Sequence, residues 1–157
     1  RRSSDLIINQ SVAERRLAMR GELLFATYKD QRQLSEAREM FQLASQRING
    51  AMTEIRPQLV TDRGREAARR IDESMAEWLP LEQKVFEMVS AGRLQEANEL
   101  RQQRQAVLAR EMSQASATIA EAQNSLLRLA AEDGRATTRR GWWVTRCAES
   151  TAVTGRP

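Results

Sequence analysis

The stretch ERRLAMRGELLFATYKD, Glu14 to Asp30, reads as an amphipathic helix that keeps two arginines between apolar stripes. At about 100° per residue, Ile8, Val12, Met19, Leu23 and Ala26 form one stripe. Ala13, Leu17, Leu24 and Tyr28 form a second, roughly a third of a turn away. Asn9, Arg16, Arg20 and Thr27 fall in the gap between them. A helix with two apolar stripes touches two partners, so Arg16 and Arg20 are expected where three surfaces meet. An anion is needed there, from the protein or from a ligand.

Outward from this helix, the chain reads as three more helices. The second starts near Gln33 and repeats Leu34, Ala37, Phe41, Ala44, Ile48, Ala51, Ile55 and Leu59 at three- and four-residue steps, a bundle seam. Thr61 or Asp62 is expected to cap the third, which buries Ile71, Met75, Trp78, Leu81, Val85 and Val89. Pro57 and Pro80 are expected to bend the second and third helices. Gly92 is the natural residue to end the third, just past its last turn. The fourth runs from about Leu94 to Asp133, closed by Gly134, on a seam that includes Leu94, Ala97, Leu108, Met112, Ala115, Ile119, Ala122, Leu126 and Leu129. Short connections make neighbours antiparallel, which predicts an all-α, up-down-up-down four-helix bundle over residues 1–134.

Composition agrees. Aromatic residues make up 4% of the 157, with 7 Gly and 3 Pro, a profile of long packed helices. The net charge of +4 suggests nucleic acid until it is mapped. Residues 135–157 hold five Arg and one Glu, which leaves residues 1–134 with 20 charges of each sign. The excess belongs to a basic tail expected to be disordered, and no nucleic-acid partner is expected. In that tail Trp142 and Trp143 beside Arg139 and Arg140 have the character of a membrane-interface anchor. The single cysteine, Cys147, leaves no internal disulfide. Histidine is absent, which excludes His-ligated haem, His-containing zinc and di-iron sites, and His-based triads. Hydroxyls are scattered without an activating base, so no catalytic residue, metal or cofactor is expected, and the chain is not read as an enzyme. No run approaches about 18 apolar residues, so membrane attachment is expected only through segments absent from this chain.

Two residues break the seam of the fourth helix. Arg101 and Arg104 lie inside its apolar stripe, and all four arginines fall roughly 12–20 Å from the turns near Asp30 and Gly92. The alternative to a ligand is an internal ion pair, for which Glu82 and Glu111 are the available acids. One or two carboxylates do not neutralise four cations, which favours an anion site. Guanidinium forks match carboxylates bidentately, suiting a small organic acid or an amino acid. The methionines and Trp78 read as packing residues.

The Arg-x-x-x-Arg of Arg16 and Arg20, IRPQLVTDRGR (Ile55 to Arg65) and VFEMVSAGRLQEANEL (Val85 to Leu100) together resemble a known family. It is the periplasmic four-helix-bundle sensor domain of bacterial methyl-accepting chemotaxis receptors, the class that includes the aspartate and serine receptors. The resemblance covers about residues 5–134. It implies a periplasmic domain of an inner-membrane receptor, held between transmembrane helices. It also implies a homodimer through the first helix, with a ligand bound near the distal end by first-helix arginines and upper fourth-helix residues. Arg16 and Arg20 match two of those arginines, and Ser11 stands where the family has a third, so ligand identity is not carried over. Arg101 and Arg104 join the expected site from the helical wheel. The second stripe, through Leu17, Leu24 and Tyr28, becomes the expected dimer contact. The alternatives are a helical protein-interaction module and the sensor domain of a histidine kinase.

Overall fold

The computed structural model describes the backbone of residues 3–152 and the side chains of residues 3–138. Among these residues there are helices and no strands. Helix α1 spans Ser4–Thr27, α2 Gln31–Ile55 and α3 Asp62–Ser90. The fourth rod is built of α4 (Leu94–Leu100), a π-helical turn (Arg101–Gln105) and α5 (Ala106–Ala152).

Each turn has a local chemical cause. The α1–α2 turn puts Lys29 at φ 54°, and the Asp30 side chain then accepts from the Gln33 amide to start α2. Gly92 adopts φ 76° after α3, where a glycine pays no Cβ penalty, and the Arg93 amide closes back on the Met88 carbonyl. Thr61 caps α3 by accepting from the Gly64 amide at 3.0 Å. Pro57 does not bend α2. The helix stops at Ile55 and Pro57 lies in a short 3₁₀ turn, Arg56–Gln58: Arg56 keeps helical dihedrals, but Pro57 has no N–H with which to continue the ladder. Pro80 is carried inside α3.

Cross-helix pairs fix the topology. Glu14 with Arg47, and Gly21 against Ala37, set α1 and α2 antiparallel. Arg15 with Met75 and Met19 with Trp78 rise together, so α1 and α3 run the same way across the core. Ser116 donates to the Asp5 carbonyl, while Leu24 and Thr27 share a groove with Leu94 and Gln95, so the fourth rod runs antiparallel to α1. The protein is therefore an up-down-up-down four-helix bundle. Its core is the apolar seam read from the sequence, including Ile8, Met19, Ile48, Ile71, Trp78 and Met112. Burying residues of this size contributes about 1.5–3 kcal/mol each.

The chain divides into two compact units, Arg1–Ala120 and Glu121–Pro157. The first contains the bundle. Two expectations about the fourth rod change here. Leu126 and Leu129 belong to the second unit and are 36% and 58% exposed, where the seam expected them buried. The rod does not end at Gly134 either, and its helical backbone reaches Ala152. A lone glycine costs a helix only about 1 kcal/mol, too little to end one by itself. The side chains of Trp142, Trp143 and Cys147, and residues 153–157, lie outside the described residues.

Candidate functional site

Below the α1–α2 turn, α1 and the top of the fourth rod diverge around a groove of about 960 Å³. Arg16 and Arg20 line it from α1, one helical turn apart. Arg101 enters from the fourth rod, with Gln95, Asn98 and Gln102, and leucines 17, 23, 24 and 94 supply its apolar surface. The sequence expectation thus brings three of its four arginines to one place.

Arg101 is held rather than free. One terminal nitrogen donates to Gln105 Oε1 and the other to Asn98 Oδ1, both at 3.0 Å, while Nε is buried without a partner. Burial lowers its pKa, and the charges of Arg20 and Arg16 push it in the same direction. Three like charges therefore face one another. The neighbouring acids are already engaged: Glu14 with Arg47, Glu77 with Arg104, Glu96 with Arg93. Neither Glu82 nor Glu111 pairs with Arg16 or Arg20, and Glu111 instead meets Ser74.

Arg104 departs from expectation. It is absent from the groove lining and forms an ion pair with Glu77 of α3. The cause is the π-helical turn. In an ordinary α-helix, four-residue steps drift by about 40° each, so a wheel puts Arg104 in the stripe and Gln105 beside it. The wider turn holds Ala97, Arg101 and Gln105 in line, burying Gln105 and rotating Arg104 towards α3.

The rest of the surface supplies a contrast. A cleft of about 430 Å³ between α3 and α5 also holds arginines, Arg63 and Arg70, but among Glu66, Glu73 and Glu111, with Arg70 paired to Glu66. Its acids outnumber its arginines, whereas the α1 groove holds three arginines and no acid.

Residues 7–138 match a family model described as a four helix bundle sensory module for signal transduction, the module of methyl-accepting chemotaxis proteins. The chain belongs to that family. No curated protein and no solved structure matched it in the parallel comparisons.

The sensory module also carries a charged layer that the sequence reading passed over. Arg15, next to Arg16, is 0% exposed. Its guanidinium lies between the rings of Phe41 and Trp78, 4.5 and 4.3 Å from their centroids, and donates to the Met75 sulfur. Two further nitrogens, Nε and Nη2, have no partner. Burial lowers the Arg15 pKa to about 9, partly offset by the charge of Glu82, so it remains a cation at neutral pH. Two turns along, Glu22 is also fully buried, with both oxygens unpaired. Burial, reinforced by the neighbouring Glu82, raises its pKa to about 8, against the pull of Arg38. Arg38 itself stacks on Phe86 at 3.5 Å. A signal for this layer was present: Ile8, Val12, Arg15, Met19, Glu22 and Ala26 follow strict four- and three-residue steps. The seam runs through the charged residues.

Leu17, Leu24 and Tyr28 are 62%, 51% and 74% exposed in the single chain, so the second stripe of α1 is open.

Proposed function

We propose that this sensory module is the extracytoplasmic ligand-binding domain of a chemoreceptor, and that the groove of Arg16, Arg20 and Arg101 binds a small organic carboxylate. One observation carries the reading. Three guanidinium groups from two rods converge with no carboxylate among the groove-lining residues. Ligand binding there bridges α1 to the fourth rod, and a conformer that brings the two closer gains affinity. That differential affinity is the coupling free energy available for a signal. Crossing the membrane belongs to other segments, since none of the described helices is long and apolar enough to span a bilayer. The domain is periplasmic in this reading, and the output module is a chemotaxis one, with a histidine kinase as the alternative.

A thermal-shift screen of organic acids and amino acids tests the reading. A ligand at 100 times its Kd stabilises the fold by about 2.7 kcal/mol and raises the melting temperature. A flat response to every carboxylate removes the proposed site.

The open stripe of α1 favours an additional contact, pairing with α1 of a second copy through Leu17, Leu24 and Tyr28. Large exposed apolar groups on one helix face suit an interface. Leu24→Glu is expected to shift sedimentation towards monomer. A wild-type chain that stays monomeric at high concentration, with and without carboxylate, rules the contact out for this chain.

A further inference from the structure

We infer that the groove selects a di- or tricarboxylate lacking an amino group and discriminates against α-amino acids. The inference rests on the carboxylate reading above and narrows it to one ligand class. Its basis is the chemistry of the lining: three cations and no anion. An α-amino acid carries one net negative charge fewer than the same acid without its amino group, and its ammonium group needs an acceptor.

The side-chain acceptors of the lining are all neutral: the oxygens of Thr27, Gln95, Asn98 and Gln102. Asn98 Oδ1 already accepts from Arg101, and the Thr27 hydroxyl donates to the Leu23 carbonyl, so what the lining offers an ammonium group is lone pairs on neutral oxygens. Glu99, next to Asn98 in sequence, is bonded to Gln95 and is not among the lining residues. An ammonium group would therefore sit among guanidinium groups without an anionic partner, and like-charge juxtaposition is strongly discriminating. Two carboxylates suit a lining of three cations from two rods instead. One meets Arg16 and Arg20 on α1, and the other meets Arg101 on the fourth rod, so each end finds a fork of donors. The burial of Arg101 Nε without a partner adds an unsatisfied donor on the fourth-rod side.

The test is isothermal titration of the 157-residue chain with succinate, its 2-amino analogue aspartate, citrate and acetate. Succinate or citrate is expected to bind about tenfold or more tightly than aspartate, with acetate weakest. Raising the salt concentration is expected to weaken citrate most, as the most highly charged ligand. The same titration on Arg101→Gln, checked for native helicity by circular dichroism, is expected to lose most of that affinity. Aspartate binding as tightly as succinate overturns the selectivity while leaving the arginine site standing. Undiminished citrate binding by Arg101→Gln moves the site elsewhere and overturns the inference. No binding by any of the four acids overturns the carboxylate reading and the selectivity with it.

Discussion

Arg15 and Arg16 are consecutive in the chain and have opposite fates. Arg16 faces a groove open to water, with Arg20 and Arg101 as its charged neighbours. Arg15, about 100° further round the helix, is sealed between two aromatic rings with no anion bonded to it. Arg16 and Arg20 are exposed and keep their hydration. The buried one has given its hydration up, and the electron-rich faces of Phe41 and Trp78 replace part of it. The same residue type therefore contributes shape and rigidity at one position and, in the proposed site, recognition at the next.

The largest expected effect is at Arg15. Truncation to alanine leaves a cavity bounded by Phe41, Trp78 and Met75, and is expected to lower unfolding stability by about 3 kcal/mol. Arg15→Met refills the space and removes a desolvated charge, so it should cost less than about 1.5 kcal/mol. Urea midpoints at constant m separate the two. If Arg15→Met falls as far as Arg15→Ala, the charge itself holds the layer, through Glu82, and the comparison with Arg16 changes meaning.

Glu22 gives the next effect, read through pH. Its folded pKa of about 8 lies above the ordinary 4.5, so between those values the folded chain holds a proton that the unfolded chain has released. Stability must then fall as pH rises from 4.5 towards 8, by on the order of a few kcal/mol, with the full penalty present above 8. Glu82 and Arg38 are the charged groups acting on it, and their opposing signs leave burial as the dominant cause. Glu22→Gln removes the titrating proton. Melting curves of wild type should decline across this window while those of the variant stay nearly level. Parallel curves would assign the pH dependence to another group.

Arg20→Ala comes third, and it divides the two regions most directly. Without ligand the variant should unfold within about 0.5 kcal/mol of wild type, because an exposed cation without an acid partner is lost and alanine favours the helix. Affinity for a bound carboxylate should fall roughly 10- to 100-fold, the value of one charge-assisted hydrogen bond. A strongly destabilised ligand-free variant would place Arg20 with Arg15 as a structural residue.

How far the sequence disclosed these regions depended on which physics governed them. The bundle was legible because seams such as Leu34, Ala37, Phe41 and Ala44 repeat at helical spacing, and Thr61 and Gly92 punctuate them. Arg16 and Arg20 were legible because two stripes left them stranded. Arg15 and Glu22 were missed because hydrophobicity was read before spacing, although their positions complete the α1 seam. The π-helical turn left no trace: RQQRQ has neither proline nor glycine to mark it. One extra residue in that turn was enough to take Arg104 out of the stripe.

The smallest effect tests that turn. Arg104 and Glu77 are 48% and 47% exposed, so their ion pair stabilises the fold by no more than about 1 kcal/mol. Arg104→Ala should unfold close to wild type. Its more informative readout is carboxylate affinity. Arg104 lies outside the groove lining, its charge is already met by Glu77, and screening over about 8 Å at physiological salt weakens what field remains. Affinity should change by less than about threefold, against the large loss expected for Arg101→Gln three residues earlier. A wheel drawn without the π-helical turn puts both arginines in one stripe and predicts similar losses for the two variants. A tenfold or greater loss in Arg104→Ala would mean that the bound state returns Arg104 to the groove. The turn would then be a moving part of the sensor instead of a fixed offset in its fourth rod.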